Sequence, residues 1–375
     1  MKVNKIAVVG AGLMGAGISY VSRASGYDVI MTDLDETAIN RGLSRVTSYV
    51  ESGVKRGKLS PEDGENIISQ IATTTNLSEA VSDVDLVIEA VFENMEVKKK
   101  LFKELDHAAK PHTILASNTS SLSITELGKV TNRPAKVIGM HYFSPVPAMK
   151  LLEVIIGKET NNDTIQTALE VGENQRKITV KAIDSPGFIV NRLRAQISRA
   201  VLQIYEQGLA SAEEIDTAMK EKFGTPMGSL ELTDFVGLDV SLGTGSTLER
   251  ELGDCYKVPE ILKKYVEEGR IGRKSGKGFY AYEDGEKRSL EEPKGADPDW
   301  LVNRIIMPYL REAMIEFETG IASKEDIDKA MKLGSNYKEG PFETIERLGL
   351  DVVRDELKKL QQEFGDCYSL SKMLQ

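Results

Sequence analysis

The stretch KIAVVGAGLMG, residues 5–15, decides how the start of this chain folds. A short β-branched run leads into glycines spaced Gly-x-Gly-x-x-Gly, and the apolar periodicity of a helix follows. This context predicts a strand, a phosphate-binding turn and a helix whose N-terminus faces the pyrophosphate of a dinucleotide. A glycine-rich turn without a ligand is the alternative. We assign the whole loop to the cofactor, namely Gly10, Ala11, Gly12, Leu13, Met14 and Gly15.

Asp33 directly follows the next apolar run, Asp28–Thr32. A carboxylate at that point hydrogen-bonds the ribose 2′-hydroxyl and repels a 2′-phosphate. Because no arginine lies within the next several positions, we expect NAD rather than NADP. The alternative for Asp33 is a cap for the following helix, a role for which Asp35 competes.

The first 184 residues alternate apolar runs with longer amphipathic stretches, such as the charged one from Glu36 to Leu59. Strand–helix alternation with apolar strands predicts a mostly parallel, doubly wound sheet covered on both faces, an α/β fold of the Rossmann type. Five runs are typical of buried strands, namely Lys5–Val9, Asp28–Thr32, Val84–Glu89, Thr113–Ala116 and Lys136–Met140.

The second half of the chain contains an internal repeat with a constant offset of 112 residues. VNRL at 190–193 recurs as VNRI at 302–305, and GDCY at 253–256 recurs at 365–368. A register held over this length predicts a duplicated helical unit. The polar stretch Glu283–Pro298 is typical of a linker. The predicted organisation is a dinucleotide-binding domain at 1–184, a helical domain at 185–282, a linker at 283–298 and a second helical copy at 299–375.

Composition excludes several classes of function. The 375 residues carry a net charge of −10, which argues against a nucleic-acid-binding surface. No apolar run reaches the roughly 18 residues of a membrane span, so we expect a cytoplasmic protein. The two cysteines, Cys255 and Cys367, lie so far apart that neither a zinc site nor a disulfide framework is expected. We interpret them as duplicated core positions, and we expect no metal site.

Several motifs, in order, resemble the 3-hydroxyacyl-CoA dehydrogenase family. The resemblance covers nearly the whole chain and implies NAD-dependent, reversible oxidation of an (S)-3-hydroxyacyl-CoA to a 3-oxoacyl-CoA, with a short acyl chain such as 3-hydroxybutyryl expected. The motifs are ASNTSSL at 116–122, GMHYFSPVP at 139–147, KLLE at 150–153, DSPGFIVNR at 184–192, EIDTAM at 214–219 and SGKGFY at 275–280.

His141 is the expected acid–base residue. Oxidising an alcohol requires a base for the hydroxyl proton, and histidine is suited to this because its ordinary pKa lies near neutrality. His141 follows an apolar run that should end at the ligand-binding edge of the sheet, whereas His107 and His112 flank a surface-like helix end. The resemblance implies that Glu153 is its partner. The alternatives are a structural histidine and an outward-facing glutamate.

The resemblance implies that Ser120 and Asn191 contact substrate, with Ser120 also near the nicotinamide, and it places the site in a cleft between the domains. Helix caps are the alternative for both residues. Weaker matches assign further residues to the cofactor, namely Glu93, Lys98, Asn118, Ser144 and Lys274. Ser144 departs from the family, which usually has asparagine there, so we expect altered positioning of cofactor or substrate rather than lost activity.

Lys55 and Arg56 lie near the segment that contacts CoA in the family, although such a basic cluster is also typical of a solvated helix face. Members of the family with one helical unit pair through it as dimers. We therefore expect the second copy to replace that partner, with Asn303 non-catalytic and the protein a monomer or a weak homodimer. The competing functions are an NAD-dependent dehydrogenase of a free hydroxy acid, as in the gulonate-oxidising relatives, and a non-catalytic, crystallin-like NAD-binding protein.

Overall fold

The structure, a computed structural model, describes residues 1–284 and 286–375. The chain forms two compact units, Met1–Ser185 and Pro186–Gln375, next to the domain border predicted near Ser185. Residue 285, within the predicted linker, lies outside the described residues. Within the described part of the chain, no helix has the length and apolar character of a membrane span.

An eight-stranded sheet forms the centre of the first unit, in the order β3-β2-β1-β4-β5-β6-β7-β8. The first six strands in this order run parallel, while β7 is antiparallel to β6 and parallel to β8. The strands are β1 (Lys5–Val9), β2 (Asp28–Thr32), β3 (Ile71–Thr74), β4 (Leu86–Glu89), β5 (Ile114–Ser117), β6 (Val137–Tyr142), β7 (Leu151–Ile156) and β8 (Ile178–Ile183).

Because β1 pairs with both β2 and β4, the chain changes direction of winding there, and a crevice for ligands opens at the carboxyl ends of these strands. The helices are α1 (Leu13–Ala24), α2 (Glu36–Lys55), α3 (Pro61–Ser69), α4 (Leu77–Val81), α5 (Met95–Ala108), α6 (Ile124–Gly128) and α7 (Asn162–Asn174). Six of them begin at a side chain that accepts a hydrogen bond from the first turn, namely Asp35, Ser60, Asn76, Asn94, Ser123 and Asn161.

The predicted α/β fold is confirmed, and the five predicted strands correspond to β1, β2, β4, β5 and β6 with small shifts at their ends. The predicted helical stretch from Glu36 ends at Lys55 rather than Leu59. The apolar-run criterion misses β3 and β8, which lie at the two edges of the sheet. Both have exposed positions along one side, so their sequences lack the continuous apolar run of a central strand.

The second unit is helical, apart from a small hairpin. Its helices are α8 (Val190–Glu206), α9 (Ala212–Ala218), α10 (Ser229–Val236), α11 (Leu238–Leu252), α12 (Glu260–Glu267), α13 (Pro298–Glu318), α14 (Lys324–Gly334), α15 (Pro341–Leu348) and α16 (Leu350–Phe364). The hairpin strands are β9 (Ala281–Glu283) and β10 (Glu286–Arg288). The predicted linker therefore carries β10 and is not wholly irregular.

The repeat in the sequence is a repeat in the structure. The bounds of α15 and α16 lie 112 residues after those of α10 and α11. The long helices α8 and α13 pack against each other, α8 contacts α14, and α13 contacts α9. Each copy therefore uses the same surfaces to contact the other, as the two halves of a two-fold symmetric dimer do.

The two copies share an unusual way of starting a helix. Asp216 accepts hydrogen bonds from the backbone N–H groups of Leu230 and Glu231 at the start of α10, at 2.8 and 2.9 Å. In the second copy, Asp328 accepts from the backbone N–H of Phe342 at 2.8 Å. A Cβ at Gly228 or Gly340 would approach these aspartates to 2.2 Å, so only glycine allows this contact.

The expectation for the cysteines is wrong. Cys255 and Cys367 form a disulfide, with Cα atoms 5.1 Å apart, and both residues are half-buried rather than core positions. Separation along the sequence was a poor guide because the two copies bring equivalent positions together. The bond covalently joins the loop after α11 to the loop after α16.

Candidate active site

The glycine loop between β1 and α1 has the geometry that its spacing predicts. Gly10 has φ +105°, and a Cβ there would lie 2.5 Å from the carbonyl oxygen of Ala90. A Cβ at Gly15 would lie 1.7 Å from the carbonyl oxygen of Gly10. At Gly12, by contrast, no described atom lies within 4 Å of the Cβ position. The loop is packed closely on both sides and open in its middle, as a site for a pyrophosphate requires.

The electrostatics of this loop also favour a dinucleotide. Helix α1 begins after Gly12, which has no side chain to cap it, and its first turn contains no acidic residue. The N–H groups of that turn therefore remain available to a phosphate. Asp33 follows β2, and its Oδ2 accepts a hydrogen bond from the backbone N–H of Ala11 at 2.6 Å. Asp35, not Asp33, caps α2, so the capping alternative for Asp33 does not apply.

His141 and Glu153 occupy directly opposite positions of the antiparallel strands β6 and β7. Opposite residues of such a pair point to the same face of the sheet, and here Nδ1 of His141 lies 2.6 Å from Oε2 of Glu153. Glu153 is completely buried and His141 is 6% exposed. With its Nδ1–H donated to the carboxylate, the ring keeps Nε2 as its proton acceptor. The ring of Phe143 packs against the imidazole, with centroids 4.5 Å apart.

Ser120 lies in the loop after β5 and is half-buried. Its backbone N–H donates to Oε1 of Glu93 at 2.9 Å, and the Thr119 hydroxyl donates to the same oxygen at 2.6 Å. Burial disfavours ionisation of Glu93, but nearby Lys98 and these hydrogen bonds outweigh it and lower the pKa of the carboxyl group. Glu93 is therefore an anion that fixes the backbone of the Ser120 loop.

Lys98 is 1% exposed, so it differs from the cofactor-contacting lysine that the resemblance implies. Its Nζ donates to Oε1 of the fully buried Glu89 at 2.5 Å and lies 3.4 Å from Oε2 of Glu93. Glu89 ends β4 and also accepts from the hydroxyl of Ser117 at 2.6 Å. Lys98 therefore bridges a buried carboxylate and a partly exposed one, and of the three side chains only that of Glu93 is accessible to solvent.

Asn118 and Lys177 fix the segment around His141. The Asn118 side chain accepts a hydrogen bond from the backbone N–H of Tyr142 at 2.9 Å. Nζ of Lys177 donates to the carbonyl oxygens of Val146 and Met149, at 2.5 and 2.8 Å, in the loop that carries Ser144. Burial lowers the pKa of Lys177 to about 8. Ser144 itself is exposed on that loop.

The remaining predicted residues lie as follows. Lys55 and Arg56 are exposed at the end of α2, and the Arg56 guanidinium binds back to Ser52. In the second unit, Asn191 lies in the first turn of α8, and exposed Lys274 pairs with Asp239 at 2.8 Å. Sequence reasoning missed Glu89 and Lys177. The available signal for Glu89 was a carboxylate at the end of the apolar run Leu86–Glu89.

Comparisons with known families agree with this geometry. Residues 5–185 match the family model described as 3-hydroxyacyl-CoA dehydrogenase, NAD binding domain. Residues 187–282 and 300–375 both match the model described as 3-hydroxyacyl-CoA dehydrogenase, C-terminal domain. The chain belongs to the 3-hydroxyacyl-CoA dehydrogenase family, and it is an NAD-dependent oxidoreductase.

Individual relatives match different shares of the chain. It is 44% identical over 286 residues to a probable 3-hydroxybutyryl-CoA dehydrogenase of Bacillus subtilis, covering 76% of this chain and 99% of that protein. It is 36% identical over 383 residues to the fatty acid oxidation complex subunit alpha of Shewanella loihica, which matches 98% of this chain. The chain spans only 54% of that relative's length.

A solved structure matches the chain from end to end. The crystal structure of 3-hydroxybutyryl-CoA dehydrogenase from Escherichia coli superposes with a TM-score of 0.91 at 28% identity. The match covers 100% of this chain and 98% of that one. The two-copy helical unit is therefore also the architecture of a solved relative.

Proposed function

We propose that this protein oxidises a short-chain (S)-3-hydroxyacyl-CoA, such as 3-hydroxybutyryl-CoA, to the 3-oxoacyl-CoA, and that the reaction is reversible. The observation that carries the proposal is the buried His141–Glu153 pair, with Nδ1 and Oε2 2.6 Å apart at the carboxyl edge of the sheet that holds the glycine loop. The names of the Bacillus subtilis and Escherichia coli relatives support the substrate class.

In this mechanism, Nε2 of His141 accepts the proton of the substrate hydroxyl as the C–H bond breaks. Glu153 holds the ring in the required tautomer and stabilises the imidazolium that forms. Bound NAD supplies a nicotinamide ring that accepts the hydride. Gly12 and the start of α1 would hold its pyrophosphate, and Asp33, which accepts from the Ala11 N–H, would also accept from the adenosine ribose hydroxyls.

Ser120 and Asn191 hold the substrate by hydrogen bonds to its 3-oxygen and thioester carbonyl. Glu93 fixes the Ser120 loop and, being ionised, would offer acceptors to the nicotinamide ribose. Asn118, Ser144 and Lys274 would make further contacts to the cofactor. Lys55 and Arg56, exposed at the end of α2, supply positive charge to the phosphates of CoA.

Two substitutions test the acid–base pair, with acetoacetyl-CoA reduction followed by the loss of NADH. His141→Gln should lower kcat by about 1,000-fold, because general acid–base catalysis contributes on this scale. Glu153→Gln should lower kcat by about 100-fold, because the amide no longer fixes the tautomer. His112→Gln, at an exposed histidine paired with Asp85, is the matched control and should retain wild-type rates. Wild-type kcat in His141→Gln would overturn the mechanism.

The substrate class is tested with the same enzyme preparation. Acetoacetyl-CoA should be reduced with NADH and only weakly with NADPH, because Asp33 repels a 2′-phosphate. Free acetoacetate and gulonate should give no comparable turnover. Oxidation of a free hydroxy acid without turnover of CoA thioesters would refute the proposal in favour of a hydroxy-acid dehydrogenase. A series of acyl-CoA lengths would then define chain-length preference.

The assembly that we propose is a monomer or a weak homodimer, because the second helical copy covers α8 within the same chain. Light scattering should give a mass near 41.3 kDa. A tight dimer of twice that mass that buries the second copies between protomers would contradict this assembly.

A further inference from the structure

We propose that Glu312, on α13 of the second helical copy, is a positioning residue for Asn191 and that it acts through Arg192. The inference rests on the proposed function, in which Asn191 binds the substrate. It assigns the second copy a part in the reaction, exerted through Arg192, beyond covering the surface of the first.

The contact between the copies is a buried, hydrogen-bonded ion pair. Nε of Arg192 donates to Oε1 of Glu312 at 2.6 Å, and the hydroxyl of Tyr256 donates to the same oxygen at 2.8 Å. Nη2 of Arg192 donates to the Tyr256 hydroxyl at 3.2 Å. Arg192 is 6% exposed and Glu312 is 1% exposed. The first copy therefore supplies the cation and the second supplies the anion.

The surroundings keep this arginine charged and fixed. Burial alone would lower the pKa of Arg192, but Glu312, Tyr256 and the fully buried Glu316 outweigh it and raise the pKa. Glu316 lies one turn after Glu312 on α13, so two carboxylates of the second copy face the guanidinium. Removing the partner of a buried charge is strongly unfavourable, so the guanidinium has little freedom to move away.

Arg192 is well placed to orient Asn191, since the two are adjacent in the first turn of α8. That helix begins after Ile189, whose apolar side chain has no atom that could cap it. The backbone N–H of Arg192 donates to the carbonyl of Gly187 at 3.1 Å. Glu312 fixes the side chain of Arg192 from the opposite helix, and the first turn that Arg192 shares with Asn191 is fixed with it.

Comparison of the copies indicates that the second copy stabilises the first through this ion pair, and that the first copy offers no equivalent ion pair in return. The counterpart of Arg192 is Arg304, but the counterpart of Glu312 is Ala200, which has no charge with which to pair Arg304. Arg304 donates instead to Gln207 at 2.9 Å and packs on the ring of Phe364. In a symmetric dimer every contact occurs twice. Here the ionic contact occurs only where it supports Asn191.

A double-mutant cycle between Glu312→Gln and Asn191→Ala tests the inference. Glu312→Gln alone should lower kcat/KM for acetoacetyl-CoA by about 10- to 100-fold, because small displacements of a substrate-binding group have effects on this scale. In the Asn191→Ala background it should cause no further loss. The Kd of NADH should stay unchanged in all variants. Arg304→Gln, at an equally buried arginine, is the matched control and should keep wild-type kcat/KM.

A purely structural role predicts a different result, namely the same factor of loss in both backgrounds, and that result would overturn the inference. If Glu312→Gln does not fold, the pair Arg192→Met with Glu312→Leu removes both charges together and should fold, with the same loss of kcat/KM. Wild-type kcat/KM in that double variant would also overturn the inference. If Asn191→Ala itself leaves kcat/KM unchanged, the proposed role of Asn191 fails. If only the Glu312 variants leave it unchanged, the inference alone fails.

Discussion

Helices α10 and α11 of the first copy and α15 and α16 of the second have the same lengths and the same spacing, yet their surroundings differ. In the first copy the hydroxyl of Tyr280 donates to Asp216 at 2.8 Å, whereas Asp328 of the second copy accepts from the backbone N–H of Phe342. Asn191 is half-buried, and its counterpart Asn303 is exposed. The duplicated features are those that start and pack helices. Of the features that differ, Asn191 is the one assigned to the reaction.

Removing the disulfide between Cys255 and Cys367, which joins equivalent positions of the two copies, should have the largest effect on stability. Cys255→Ser with Cys367→Ser should lower the free energy of unfolding by about 4 kcal/mol, because the disulfide closes a loop of 112 residues in the unfolded chain. Chemical denaturation measures the change. A reductant should destabilise the wild type equally and leave the double variant unaffected. Equal stability of oxidised and reduced wild type would show that the bond does not stabilise the fold.

The two capping aspartates should differ in importance. Asp216→Ala should lower the free energy of unfolding by about 4 kcal/mol, and Asp328→Ala by about 2 kcal/mol, since each buried donor left without an acceptor costs about 1–3 kcal/mol. Asp216 accepts from two backbone N–H groups and from Tyr280, and it is more deeply buried. Urea denaturation of both variants tests this, with Tyr280→Phe as the control that removes only the third donor. Equal losses would mean that the hairpin segment adds nothing to the cap.

Substitution of Asn191 should impair catalysis, whereas substitution of its counterpart Asn303 should not. Asn191→Ala should lower kcat/KM for acetoacetyl-CoA by about 100-fold, the scale expected for losing one hydrogen bond to the reacting group. Asn303→Ala should leave it unchanged, because that side chain is exposed in the copy without the SPGF segment. Steady-state assays decide the point. A comparable loss in Asn303→Ala would show that both copies bind substrate.

The smallest expected effect is a shared dependence on pH. Burial raises the pKa of both Asp216 and Asp328 to about 6, above the ordinary value of 3.8. The folded state therefore binds their protons more tightly than the unfolded state does. The stability that each contributes is present at low pH and is lost as pH rises from about 4 to about 6, by about 1–2 kcal/mol per group.

Denaturation curves at several pH values should show this loss in the wild type and a smaller one in Asp216→Asn and Asp328→Asn. Asp355→Asn, at an exposed position of α16, serves as the control and should follow the wild type. Asparagine variants that lose stability over this range as the wild type does would exclude both aspartates as the source.

Much of the fold was predictable because its signals are local or periodic. The glycine loop and the apolar runs predicted the central strands, and the constant offset predicted the two helical copies. The edge strands β3 and β8 were not predicted, because half-exposed strands lack such runs. The disulfide was not predicted because it depends on how the copies pack, and the spacing of Cys255 and Cys367 contains no information on that.

The site was predictable to a different degree. The pairing of His141 with Glu153 was implied by the resemblance to the family, and in the structure opposite positions of β6 and β7 bring the two side chains together. The burial of Lys98 was not predicted, because residues 98–100 are all lysines and the sequence does not indicate which of them is buried. Glu89, its buried partner, was visible only as a carboxylate ending an apolar run.

The ion pair between the copies shows that the two copies can change their interface residues independently. In a homodimer a substitution at an interface appears in both subunits at once. A glutamate at this position would therefore be present on both sides of the interface. Here position 312 can hold a carboxylate while position 200 holds alanine. Because both copies belong to one polypeptide, the contact is also intramolecular, and its occupancy does not fall when the protein is diluted.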